Sequence, residues 1–284
     1  MAEPLTITQA LLSLQRGGLE RLEAQLLLLH VLKRTPAERS WLVAHGEETL
    51  APTHWQALQA LARRRLANEP FAYLTGCQTF YGLTLHVNRL VLVPRPDTET
   101  LVDWTLEVLP GSGGRLLDLG TGSGAIALAV KSERPGAEVV ATDRSQAALD
   151  VARSNARRLA LDVRFHQGDW FSALPPGEPA FDCVVANPPY IAANDAHLIA
   201  LRSEPQEALV SGPDGLADLR HIVNHTGRHL RSGGWLVLEH GHEQADLVRS
   251  LLLDAGFADV ASHRDLNTIE RCSGGKLRPK EHST

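Results

Sequence analysis

Asn187-Pro188-Pro189-Tyr190 is the stretch whose residue types most directly suggest chemistry. Asn187 carries a carbonyl acceptor and an NH2 donor on one side chain. Pro188 has no N–H, but its carbonyl still accepts. Tyr190 adds an aromatic face and a hydroxyl. Two acceptors beside an aromatic wall suit a planar group that carries an NH2. The lone pair of such a nitrogen is delocalised, so it is a poor nucleophile. Hydrogen bonds from its two protons to fixed acceptors orient it and favour its pyramidal, attacking form. Taken alone, the tetrapeptide also fits a turn that ends a strand, with Asn capping and Tyr packing.

A second set of residues suits a nucleoside. Asp118-Leu119-Gly120-Thr121-Gly122-Ser123-Gly124 reads as the end of a strand, a glycine-rich turn and the start of a helix. Glycines at 120, 122 and 124 let the backbone turn sharply and lie close to a ligand. The spacing is neither the GxGxxG of dinucleotide folds nor a phosphate-binding loop, which would end in Lys. Asp118 can accept from an ammonium group or hold the loop. Asp143 ends the next strand, placed to accept both hydroxyls of a ribose. Asp169 and Trp170 end the third strand. There Asp169 can accept from an adenine amino group, and Trp170 can cover a ring or the mouth of the site. Each has a plain reading alone; their order at three successive strand ends points to one site. The pair His240 and His242 sits on a turn with no third ligand indicated, so no metal is expected. No nucleophile elbow surrounds Ser123.

These residues need a parallel sheet to position them. Apolar runs read as strands at Arg115–Leu119, Glu138–Thr142, Val163–Gln167, Phe181–Ala186, Trp235–Glu239 and Phe257–Ser262. Helices are expected near 124–133, 145–160, 215–231 and 243–255. Such alternation predicts an α/β sheet covered on both faces, with ligands at the strands' carboxyl ends. The tail from about Ser273 reads as polar and frayed. Upstream, residues 1–75 read as a small bundle of four or five helices, with Thr6 or Thr8, Pro36 and Pro52 as start signals. Residues 76–95 read as a β-hairpin linker, and 96–284 as the α/β domain. Arg63-Arg64-Arg65 is either a solvated helix face or a patch for a partner.

The chain has 284 residues and a net charge of −5. Split at residue 75, eight Lys/Arg stand against seven Asp/Glu before it, and twenty against twenty-six after it. Neither part has the basic excess of a protein that tracks a nucleic-acid backbone, so no direct nucleic-acid partner is expected. The three cysteines, Cys77, Cys183 and Cys272, are far apart and suit a reducing compartment. No signal-like start or membrane-length apolar run is present, so a cytoplasmic location is expected.

Together, Asp118–Gly124, Asp143 and Asn187–Tyr190 resemble the S-adenosylmethionine-dependent methyltransferases that act on exocyclic or amide nitrogen. Further matches are Tyr73–Gly76, Pro94–Glu99, Gly168–Phe171, Asn187–Ile191 and Glu204-Pro205 with Ala208-Leu209. Over nearly the whole chain these resemble the release factor glutamine methyltransferase family, the PrmC/HemK type. Asp97 stands where that family also commonly has Glu. The resemblance implies a Rossmann-like, seven-stranded methyltransferase sheet with an N-terminal helical domain that docks the substrate. The cofactor it implies is S-adenosyl-L-methionine, with S-adenosyl-L-homocysteine as product. Gly120, Thr121, Gly122, Ser123, Gly124, Asp143, Asp169, Trp170 and Asn187 would bind it. Asn187, Pro188, Pro189 and Tyr190 would bind the substrate, with Asn187, Pro188 and Tyr190 catalytic. The implied partners are class I peptide chain release factors, modified at the glutamine of their Gly-Gly-Gln motif in the service of translation termination. Two other readings are an adenine-N6 methyltransferase of nucleic acid, which uses the same tetrapeptide, and a non-catalytic cofactor-binding module.

Overall fold

Thr6 starts the first helix as its type suggests. Its hydroxyl accepts from the Gln9 N–H at 3.2 Å, and the Gln9 side chain accepts from the Thr6 N–H at 2.9 Å. This reciprocal pair satisfies two donors at the N-terminus of α1 (Ile7–Arg16). The computed structural model describes residues 5–111 and 113–279. It divides into two units, Met1–Cys77 and Gln78–Thr284. In the first, α1 is followed by α2 (Arg21–Val31), α3 (Arg39–Ala44), α4 (Pro52–Leu66) and α5 (Phe71–Thr75). Pro36 opens a 3-10 turn ahead of α3, and Pro52 is the first residue of α4. Leu27 and Leu28 of α2 and Leu58 of α4 are fully buried at the centre of this bundle. Arg64 makes a two-pronged pair with Glu69 at 2.6 and 2.8 Å, and Arg65 holds Glu23 at 2.8 Å. Two of the three clustered arginines therefore act within the bundle.

The second unit opens with a hairpin, β1 (Cys77–Phe80) and β2 (Leu83–His86). Phe80 and Leu85 are buried in that unit's core. There follow α6 (Glu99–Val108), β3 (Gly114–Leu119), α7 (Ala125–Glu133), β4 (Ala137–Asp143), α8 (Gln146–Leu159), β5 (Arg164–Gln167) and β6 (Phe181–Ala186). The chain continues through α9 (Ala217–Thr226), β7 (Leu230–Glu239), α10 (Ala245–Asp254), β8 (Phe257–Arg264) and β9 (Glu270–Leu277). Asn155 of α8 ties the hairpin to the glycine turn. Its carbonyl accepts from the His86 N–H at 2.7 Å, and its NH2 donates to the carbonyls of His86 and Ser123, each at 3.0 Å.

The seven strands lie in the order β5-β4-β3-β6-β7-β9-β8. The pairs from β5 to β7 are parallel, and β9 runs antiparallel to both its neighbours. Side chains alternate between faces with the strand period of two. Leu116 and Val185 enter one core, and Leu117 and Val184 the other. The sheet is thus the Rossmann-like, seven-stranded α/β arrangement expected. The direction of the connections reverses between β3 and β6, which leaves a crevice at the carboxyl ends of these two strands.

Two local expectations need correction. Residues from Ser273 do not begin a frayed tail, since β9 is inserted between β7 and β8 with Cys272 to Gly275 buried. Residues 280–284 lie outside the described residues. The helix expected over 215–231 is shorter, because Leu230 to Gly234 already belong to β7.

Candidate active site

The glycine turn is shaped by two carboxylates below it. Asp118, fully buried at the end of β3, accepts from the Thr121 hydroxyl at 2.6 Å and the Ala127 N–H at 3.2 Å. Burial pushes its pKa up to about 7, and those two hydrogen bonds work in the opposite direction. Its part is to hold the loop. Asp143, at the end of β4, accepts from the Gly122 N–H at 2.9 Å through Oδ2 and from the Ser145 N–H at 2.8 Å through Oδ1. Burial raises its pKa as well, again against those bonds. Each oxygen keeps a lone pair for a further donor.

A cleft of about 730 Å³ opens above these residues. Gly120, Gly122, Asp143, Asp169, Trp170, Asn187 and Pro189 all line it, with Leu90 to Leu92 also in the wall. Gly122 has φ +56°, and a Cβ there would meet nothing within 4 Å, so the loop leaves its space to the cleft. Thr121, Ser123 and Gly124 do not line it. Thr121 and Ser123 are buried, the former bonded to Asp118 and the latter through its carbonyl to Asn155. The cleft therefore offers open backbone beside glycine, a carboxylate with free lone pairs and an aromatic wall. That donor set fits a nucleoside with neighbouring hydroxyls.

A second cleft, of about 670 Å³, begins where the first ends. Leu92, Arg95, Asn187, Tyr190, Ile191 and Glu239 are among its lining residues. Asn187 borders both clefts. Pro188 is buried and lines neither. The Tyr190 hydroxyl has its pKa raised, first by burial and then by the Glu239 carboxylate. The tetrapeptide is fixed from behind by Gln244, whose NH2 donates to the Tyr190 carbonyl at 3.1 Å. The segment after it is pinned to the second cleft's rim by Glu204, which pairs with Arg95 and accepts from the Val93 N–H at 3.2 Å.

Thr98 and Glu239 are the site residues that the sequence did not disclose. Glu239 ends β7 and is buried. The Asn187 Nδ2 donates to the Thr98 hydroxyl at 3.3 Å. A charged residue closing an apolar strand was a signal available for Glu239, as it was for Asp118 and Asp143. His240 is occupied structurally, with Nε2 2.8 Å from the Ser273 hydroxyl and Nδ1 2.9 Å from the Gly241 carbonyl.

Comparison with known proteins places this geometry in a class. Residues 98–212 match the family model described as the methyltransferase small domain, and residues 5–76 match the PrmC N-terminal domain. A crystal structure of a methyltransferase from Pyrococcus furiosus has the same fold, with a TM-score of 0.55 at 19% identity over 76% of this chain and 97% of that one. The fold is that of a methyltransferase.

Release factor glutamine methyltransferase of Bordetella pertussis is 51% identical over 92% of this chain and 96% of its own length. The enzyme of that name from Escherichia coli is 44% identical over 95% of this chain and 97% of its own. This chain belongs to the release factor glutamine methyltransferase family, and it is an S-adenosylmethionine-dependent enzyme. Neither adenine-N6 methylation nor a non-catalytic module is favoured by these relatives. No helix among the described residues is long and apolar enough to cross a membrane.

Proposed function

We propose that this enzyme methylates N5 of the glutamine in the Gly-Gly-Gln motif of class I release factors. The products are N5-methylglutamine and S-adenosylhomocysteine. The observation that carries the reading is that Asn187 borders both a cleft lined by Asp143 and the glycine turn and a second cleft walled by Tyr190.

S-adenosylmethionine, when bound, supplies a methyl group made electrophilic by its sulfonium. Asp143 would hold its ribose, Gly120 and Gly122 would admit it, and Trp170 and Asp169 would flank its base. In the second cleft, Asn187 Oδ1 accepts from the glutamine NH2 and turns its lone pair toward the first cleft. Tyr190 packs on the flat amide. Alignment is the main contribution of these residues. The methylated amide nitrogen is acidic, so its proton leaves late, to water or a nearby acceptor. Incubation with a labelled methyl donor and either release factor or DNA, followed by mass spectrometry, tests the reading. Label on the Gly-Gly-Gln glutamine is expected, and label on a DNA base would overturn it.

Two variants probe the parts. Asp143→Ala removes the acceptor for the ribose hydroxyls and should weaken cofactor binding by about 1–3 kcal/mol. Calorimetry on the folded variant checks this, and unchanged affinity would remove Asp143 from the ribose. A fragment beginning at Gln78 retains the hairpin, whose Phe80 and Leu85 the second unit's core requires. It should bind cofactor yet methylate intact release factor poorly, because the helical unit supplies much of the docking surface. Full activity of the fragment at low release factor concentration would count against that role.

A further inference from the structure

On the function proposed above, the second cleft takes a Gly-Gly-Gln segment. Glycines have no side chains, so beside the glutamine such a segment presents only main-chain N–H and C=O groups. A carbonyl taken out of water needs a donor in the wall that receives it. Much of this wall is apolar, with Leu92, Ile191, Leu201 and Leu209 in it. Its polar members are Arg95, Asn187, Tyr190 and Glu239. Among the described residues that line the cleft, Arg95 is the one cation.

Arg95 lies between Pro94 and Pro96. A residue followed by proline is restricted to extended backbone, and Arg95 has φ −96° and ψ 145°. Its Nη2 donates to the Glu204 Oε1. The Glu204 side chain is only 2% exposed, and its Oε2 accepts from the Val93 N–H at 3.2 Å, so this carboxylate is fixed. The Arg95 side chain, by contrast, is 38% exposed. A guanidinium has five N–H donors in a rigid fork, and the pair with Glu204 uses one of them. One end of the fork is anchored on a buried acceptor, and donors remain for the cleft.

Reactivity decides which carbonyl they suit. A cation on the side-chain carbonyl of the glutamine would draw the nitrogen lone pair further into the amide and oppose its attack. A glycine carbonyl of the main chain carries no such penalty. We propose that Arg95, oriented by Glu204, binds the substrate by donating to a main-chain glycine carbonyl of the Gly-Gly-Gln segment. The proposal rests on the second cleft holding that segment.

Arg95→Met alone would leave Glu204 buried without its partner, which has a structural cost of its own. The informative variant is Arg95→Met combined with Glu204→Gln, in which no unpaired charge remains. Its KM for release factor should rise about 10- to 100-fold, the scale of a hydrogen bond to a charged donor. Its kcat should stay within about threefold of wild type, because the bond is made equally before and during transfer. Glu204→Gln alone keeps an acceptor for Arg95 and should raise KM less than about fivefold. Cofactor affinity by calorimetry separates contact from loop packing, since Pro205, next to Glu204, lines the first cleft. It should stay near the wild-type value in both variants. Gly-Gly-Gln peptides with a trans alkene in place of the peptide bond after either glycine identify the carbonyl. In complexes with S-adenosylhomocysteine, one of them should bind wild type at least about tenfold more weakly than the parent peptide, and the double variant with little further loss. The proposal is overturned if the double variant has the wild-type KM, or if Glu204→Gln alone reproduces the whole loss. It is overturned equally if the loss follows cofactor affinity, or if each alkene costs the double variant as much as it costs wild type. Wild-type enzyme that leaves release factor unlabelled would instead remove the functional reading itself.

Discussion

Asn187→Ala should slow methyl transfer about 10²–10³-fold, or roughly 3–4 kcal/mol, with cofactor affinity little changed. The variant loses the acceptor that turns the substrate nitrogen, and this loss is the same at every pH. Asn187→Asp behaves differently because of what stands behind it. It brings a second carboxylate into the cleft that Glu239 also lines, and two carboxylates held close together share one proton rather than ionise together. With that proton between them, the inward oxygen of residue 187 still acts as a donor and the outward oxygen still accepts. Like-charge repulsion raises the pKa of the shared proton. The active form is therefore the protonated one, and the rate is lost as pH rises through that pKa. Asp97 and Arg271 are the other charges that act on Glu239 and shift the midpoint. Single-turnover rates at saturating cofactor across pH provide the measurement. A pH-independent Asn187→Asp, or an Asn187→Ala with near-normal turnover, would displace Asn187 from the centre of the reaction.

Ending the chain after Ile269 should leave the methyltransferase unit unfolded. The deletion removes β9 from between β7 and the edge strand β8 and strips both of a shared neighbour. Open edges on both strands and the loss of buried Cys272 and Ser273 exceed a stability that is about 5–15 kcal/mol for a whole domain. A milder variant makes the same point. A Cβ at Gly274 would lie 2.7 Å from the Leu236 carbonyl oxygen and 2.9 Å from the Trp104 ring. Gly274→Val should cost about 1–3 kcal/mol or more through overpacking. Circular dichroism and cofactor binding report both effects. A truncated chain that unfolds cooperatively and still binds cofactor would show that β9 is dispensable.

The misreading of β9 has a physical origin. Its centre, Cys272-Ser273-Gly274-Gly275, has neither β-branched residues nor the alternation that marks a strand. The glycines are there because neighbours approach closely, and closeness in space leaves no mark on composition. The strands that carry Asp118, Asp143 and Asn187 were legible for the opposite reason. Each is an apolar run stopped by a residue unlike the run, and the end of a parallel strand is where function sits. Thr121 and Ser123 share the glycine turn with Gly122, but spacing alone cannot tell which side chains turn inward. Thr98 and Glu239 are 141 residues apart in numbering and meet only through the fold, so no local pattern joins them to Asn187.

The position of β9 also bears on how the molecule is made. Synthesis is vectorial, and earlier segments have the chance to fold first. The bundle of α1 to α5 is complete in sequence long before the sheet is. Every strand through β8 emerges while the slot between β7 and β8 is still empty, and β9 is the last strand of the sheet to be translated. The growing chain therefore passes through a stage in which its first unit is finished but its catalytic sheet is split. An enzyme of this family, in this reading, acquires its own activity only after β9 has been made.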